Sequence, residues 1–156
     1  MNHPAVLKLL FLMVALALLY SCGKDTPKLP KLSEDAVILA FGNSLTYGTG
    51  AERNESYPAI LENLSGKRIV NAGIPGELSA KGLQRLSEVL NEHKPELLLL
   101  CHGGNDLLRR YELAKTAINL KKIRHHTSKQ RRLSSDGRGG LQVVEGSRRL
   151  IKRKAL

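Results

Sequence analysis

With 156 residues, the chain has room for one domain with a real core and too little for two ordinary ones. Hydrophobic residues make up 42% and aromatic residues 4%, with no tryptophan, which is compatible with a globular protein. A formal charge of +11 raises the question of nucleic acid or anionic membranes, but its placement is uneven. Residues 1–120 hold 13 Lys or Arg against 12 Asp or Glu, whereas residues 121–156 hold 12 against 2. Charge therefore argues nothing about the first 120 residues.

Residues 1–21 read as a targeting segment. His3 and Lys8 precede the apolar run LLFLMVALALLY, Leu9 to Tyr20, which is short for a stable membrane span and has the proportions of a secretory h-region. Leu19-Tyr20-Ser21-Cys22-Gly23 resembles the lipobox of bacterial lipoproteins, in which the cysteine is lipidated, although Tyr20 is bulkier than that pattern prefers. The expectation is a lipoprotein of the bacterial periplasm, anchored to the membrane through Cys22. An ordinary signal peptide or an uncleaved anchor is the alternative. With Cys22 modified only Cys101 remains, so no intrachain disulfide framework is available. Residues 22–35 are polar with two prolines and read as a tether.

The unbroken apolar run Ala36 to Phe41 predicts a strand buried on both faces of a parallel sheet. Residues 55–64 predict a helix with Tyr57, Ile60, Leu61 and Leu64 on one face, and Lys67 to Asn71 a second strand. Leu78 to Leu90 carries Leu83, Leu86 and Leu90 at helical spacing. Pro95 marks a break before the third strand, Glu96 to Cys101, and a helix is predicted from Asp106 to about Ile123. The order β-α-β-α-β-α with short loops predicts an α/β fold with a parallel sheet and helices on its faces.

Beyond Leu120 this rhythm stops. KKIRHHTSKQRRLSSDGRGG offers no apolar face, only LQVV, Leu141 to Val144, could extend, and the fourth strand due at this point is not expected. Should the third strand be internal to its sheet, Glu96 to Cys101 is then expected to present an unpaired apolar edge, which makes the fold poorly stable. Residues 121–156 are read as a basic tail outside the domain, arising from a reading-frame change or premature ending near residue 121. A genuine tail for phosphate-bearing partners competes with that reading. Nucleic acid is disfavoured, because the segment lacks aromatic residues for stacking.

Chemistry-bearing residues follow each predicted strand, where open α/β sheets place their ligands. Ser44 lies in FGNSLTYGTG, Asn71 and Gly76 in VNAGIPGELS, and Gly103, Gly104, Asn105 and Asp106 in CHGGND. A serine at a strand-to-helix turn can present its Oγ clear of the sheet. Its own N–H, a glycine N–H and an asparagine amide can together meet the negative oxygen of a tetrahedral intermediate. Tight turns alone also call for Gly and Asn, which explains each residue singly better than all three strand ends together.

FGNSLTYGTG, VNAGIPG and GGND resemble the first three blocks of the GDSL or SGNH family of serine esterases. Their order and spacing are most similar to bacterial arylesterases and lysophospholipase-like thioesterases, over residues 36–120. The resemblance implies a three-layer α/β/α, flavodoxin-like fold with a five-stranded parallel sheet, incomplete here in its last strands. It implies a carboxylic ester or thioester substrate and no cofactor. It assigns Ser44 as nucleophile and oxyanion donor, Gly76 as a second donor through its N–H, and Asn105 as a third through its amide.

Two departures stand out. Asn43 replaces the family's usual Asp beside the serine and is expected to keep some of its hydrogen bonds without the charge. The family completes its triad with an Asp-x-x-His, and none exists in this sequence. His125 and His126 come too soon after the third block, Asp136 is followed by GRGG, and His102 has no general-base role in the family. The expectation is an esterase impaired or inactive in this form, with a non-catalytic lipoprotein on an esterase scaffold as the alternative. Phosphate-loop and dinucleotide readings fail for want of a Gly-Lys-Ser/Thr or a G-x-G-x-x-G turn, and no histidine has metal-ligand spacing.

Overall fold

A computed structural model describes residues 31–133 and 142–145, with side chains described through residue 127. The first three strands, β1 (Val37–Gly42), β2 (Arg68–Gly73) and β3 (Leu97–Cys101), form where continuous apolar runs or β-branched residues were expected. β4 (Gln142–Glu145) follows much later in the chain. All pairings are parallel and the spatial order is β2-β1-β3-β4. That order reverses direction at β1, which places a crevice at the carboxyl ends of β1 and β3.

The helices are α1 (Ser44–Tyr47), α2 (Tyr57–Ser65), α3 (Ser79–His93), α4 (Gly104–Leu108) and α5 (Leu113–Leu133). Strand alternation sends Leu39, Phe41, Leu98 and Leu100 to one face, where they pack with Leu86 and Leu90 of α3 and Leu120 and Ile123 of α5. Ile38, Ala40, Ile69 and Leu97 form the opposite face, with Leu61 of α2 against it. Removing a large apolar side chain from either layer costs about 2–5 kcal/mol.

Several expectations change. Only Leu61 of the apolar stripe foreseen on α2 reaches the sheet, beside buried Pro58, while Tyr57, Ile60 and Leu64 are exposed. The helix expected from Asp106 to Ile123 is two helices. The chain turns between α4 and α5, where Arg110 takes a left-handed φ of 58°. No Gly or Pro announces that break.

The largest correction concerns the region after Leu120. α5 continues unbroken to Leu133, burying Ile123 and Thr127, so the stretch does carry an apolar face. A fourth strand also exists. β4 pairs Gln142, Val143, Val144 and Glu145 with Leu97, Leu98, Leu99 and Leu100, so β3 is an interior strand without the bare edge expected of it. Short apolar spacing amid many basic residues hid both elements: Ile123 and Thr127 lie four apart on a surface otherwise rich in Lys and Arg. The targeting run, Cys22, most of the tether, Asp136 and the residues after Glu145 lie outside the described residues.

The β3–β4 ladder has a direct readout. Those backbone amides of Leu97 to Leu100 that point toward β4, alternate residues of the strand, are expected to exchange slowly in the full chain and to lose that protection when residues 134–156 are deleted, as followed by hydrogen-exchange mass spectrometry. Equal protection in both proteins contradicts the pairing.

Candidate active site

The first loop is built on close approach. A Cβ on Gly42 would stand 2.4 Å from the Cys101 carbonyl oxygen and collide with Thr46, so only glycine lets β1 turn tightly into α1. Asn43 is buried and caps α1, its Oδ1 accepting the Leu45 N–H at 3.2 Å. The asparagine thus retains a loop-ordering hydrogen bond, as expected. Ser44 is the first residue of α1, where a backbone N–H has no acceptor inside the helix.

The second loop is a β-turn over Ile74, Pro75, Gly76 and Glu77, closed by the Glu77 N–H to the Ile74 carbonyl at 3.2 Å. Proline in its second position and Gly76 at φ 74° in its third are the type II pattern. The Gly76 N–H lies in the middle peptide, outside the closing hydrogen bond. Ile74 N–H donates to the Gly42 carbonyl at 3.0 Å, which ties this loop to the first. Asn71 lies inside β2 rather than after it, with Oδ1 accepting the Gly73 N–H at 3.0 Å.

The third loop joins the other two. Asn105 Nδ2 donates to the Glu77 carbonyl at 2.9 Å, and a Cβ on Gly104 would lie 3.6 Å from Asn43 Nδ2. The buried Asp106 accepts the Ser79 N–H at 2.9 Å and the Ser79 hydroxyl at 2.6 Å. That carboxylate therefore sits on the amino-terminal turn of α3, where the helix dipole favours negative charge. Asn119 of α5 donates to Ser79 Oγ at 3.0 Å.

Beneath these loops lies a charged cluster that sequence reasoning did not single out. Arg85 grips Glu77 with both ends of its fork, Nε at 2.7 Å and a terminal nitrogen at 2.6 Å. His102 Nε2 stands 3.0 Å from the same carboxylate, and its Nδ1 accepts the Gly103 N–H at 3.2 Å. Since Nδ1 accepts, the ring proton belongs on Nε2, which donates to Glu77. Burial depresses the His102 pKa against the opposing pull of Glu77, so the ring is neutral. Burial pushes the Glu77 carboxyl up, but the hydrogen bonds of Arg85 and His102 and the charge of Arg85 outweigh it and hold it below the usual range. Both His102 nitrogens are thus engaged. His126 pairs instead with Ser87 at 3.0 Å, and His125 is exposed on α5.

No periodicity could have revealed this cluster, because its members come from a turn, a helix and a strand end. The one available signal was an acid at the start of a predicted helix with an arginine eight residues on, a spacing that follows no helical pairing rule.

The sequence profile of the GDSL-like Lipase/Acylhydrolase family matches residues 40–146. The chain belongs to this family. Its relatives include the thioesterase 1/protease 1/lysophospholipase L1 of Escherichia coli K12, 36% identical over 88 residues, covering 55% of this chain and 42% of that one. An arylesterase of Vibrio mimicus is 33% identical over 91 residues, with 55% and 46% covered. The chain thus spans less than half the length of these curated relatives. Among solved structures, AlinE4, an SGNH-hydrolase family esterase, superposes with a TM-score of 0.59 at 39% identity, covering 72% of this chain and 60% of that one. The α/β fold expected from sequence is therefore the SGNH-hydrolase fold, present in part.

Two measurements follow. Unfolding takes up the proton that neutral, buried His102 refuses. Stability from this group is therefore present above pH 6.5 and declines as pH falls below that value, until the folded ring itself protonates. Urea unfolding between pH 7 and 5 should show this slope, and His102→Gln should flatten it. The groups facing His102 are Glu77, whose carboxyl is held below the usual range, Arg85 and Asp106. Separately, a Cβ on Gly82 would lie 2.5 Å from His102 Nε2, so Gly82→Ala is expected to cost about 1–3 kcal/mol in the same assay.

Proposed function

We propose that the three loops form the acyl-transfer pocket of a serine esterase for small carboxylic esters or thioesters. Ser44 is the nucleophile, and its N–H, the Gly76 N–H and the second Asn105 Nδ2 hydrogen are the oxyanion donors. The observation that carries this reading is the joining of the three strand-end loops, Ile74 N–H to the Gly42 carbonyl and Asn105 Nδ2 to the Glu77 carbonyl, with the Ser44 and Gly76 N–H groups making no hydrogen bond among the described residues. The names of the relatives, thioesterase, lysophospholipase and arylesterase, support the ester class.

In such a pocket the Ser44 Oγ attacks the carbonyl carbon, and the donors stabilise charge that appears only as the tetrahedral intermediate forms. The Oγ proton must leave in that step. Among the described residues no imidazole or carboxylate is hydrogen-bonded to Ser44 Oγ, and the 156-residue sequence contains no Asp-x-x-His. We therefore propose that this chain alone turns ester over very slowly, keeping only what preorganised donors supply. The second reading, a non-catalytic lipoprotein on an esterase scaffold, is favoured by the same occupied histidines. The run from Leu9 to Cys22 supports a periplasmic, membrane-anchored location through a lipidated Cys22.

Residues 22–156 with Cys22→Ser, assayed on a short-chain nitrophenyl ester, should hydrolyse it at a rate that Ser44→Ala leaves almost unchanged. A fluorophosphonate at pH 9, where hydroxide substitutes for the missing base, should still label Ser44 slowly. Rapid turnover abolished by Ser44→Ala sinks the impaired-enzyme reading. No labelling at all favours the non-catalytic scaffold.

A further inference from the structure

We propose that Glu77, held by Arg85 and His102, is a positioning residue that sets both loop-borne oxyanion donors at once; this rests on the pocket reading above. Three parts of the same residue act. Its N–H closes the turn over Ile74–Glu77 at 3.2 Å, and that turn presents the Gly76 N–H in its middle peptide. Its carbonyl accepts one hydrogen of Asn105 Nδ2 at 2.9 Å. A carbonyl can only accept, so the amide nitrogen must face it, and the same nitrogen keeps a second hydrogen for the pocket. Its carboxylate anchors the backbone that does both.

The anchor is unusually well fixed. The Glu77 side chain is 6% exposed and the His102 side chain 0%, so the carboxylate has exchanged most of its water for three protein donors. Arg85 also donates to the Ala72 carbonyl at 2.9 Å and stands 4.1 Å from the centre of the Phe41 ring. His102 in turn receives the Gly103 N–H, at the start of the loop that carries Asn105. One ion pair thus takes its bearings from β1, β2 and β3 together. Loss of its charge frees the Gly76 turn and the Asn105 amide in the same event.

Glu77→Gln keeps the shape and removes the charge. Fluorophosphonate labelling of Ser44 at pH 9 is expected to slow about tenfold, a fraction of the loss seen when a whole oxyanion donor is removed. The double variant Glu77→Gln/Asn105→Ala should be slower than Asn105→Ala by clearly less than tenfold, because part of the Glu77 effect runs through Asn105 and only the rest through the Gly76 turn. Leu90→Ala, a core change on α3, controls for general destabilisation and should label at the parental rate below its unfolding temperature. Equal labelling of Glu77→Gln and the parent, or an equal loss in Leu90→Ala, overturns the proposal. Proton–nitrogen correlation spectra read the same geometry without chemistry. The two Asn105 side-chain protons should be well separated in the parent and converge in Glu77→Gln. If the parent fails to label, the acyl-transfer reading falls by itself, and unchanged Asn105 resonances in Glu77→Gln then overturn the positioning as well.

Discussion

A carboxylate that has lost most of its water must be met by charge and hydrogen bonds or be protonated, and Glu77 is met from two directions. Arg85 reaches it from α3 and His102 from the end of β3, so the loop after β2 cannot shift without breaking contacts to two other elements. Removing Arg85 leaves a buried charge unpaired, a larger penalty than the net worth of the pair. The geometry of the strand ends depends on that asymmetry. Asp106 repeats the device a few residues away, with the start of α3 and the Ser79 hydroxyl in place of an arginine. Two carboxylates therefore peg the β2 and β3 loops to α3, and neither is placed to touch the Ser44 hydroxyl.

How legible such a structure is depends on the range of the forces that make it. β1 was readable because a strand covered on both faces needs an unbroken apolar run, and VILAFG supplies one. The three strand-end blocks were readable because glycine and asparagine at tight turns answer to local backbone demands. The turn at Pro75-Gly76 is the clearest example. The Glu77–Arg85–His102 cluster was not readable, since its partners meet only after the sheet has closed. The outward stripe of α2 misled for a related reason: periodicity shows that Tyr57, Ile60 and Leu64 share a face, not which face the sheet takes.

The region after Leu120 shows how charge can mask a core contribution. Its many Lys and Arg residues dominate composition, yet a helix needs to bury only one stripe, and Leu120, Ile123 and Thr127 supply it. Long basic side chains are well suited to the remaining surface, because their stems can lie along apolar ground while their charges stay in water. β4 is four residues long, at the lower limit at which alternation or a continuous run separates strand from loop. Its backbone nonetheless pairs every residue of Leu97 to Leu100 and converts β3 from an edge into an interior strand. A few residues of pairing thus remove the aggregation-prone feature that the sequence pattern suggested.

Stabilising an oxyanion and removing a proton are separable tasks, and the proposed pocket assigns residues only to the first. Every donor assigned to the oxyanion comes from Ser44 to Asn105 and is held by contacts within that span. The base is a different matter, since a serine hydroxyl near neutral pH remains a weak nucleophile however well its product charge is received. His102 is the histidine nearest in sequence to the assigned donors, and the charged cluster has already consumed both of its nitrogens. Freeing it would cost the Glu77 carboxylate one of its three hydrogen bonds. The same histidine cannot serve the loop and the proton, so a pocket organised in this way must take its base from some other element.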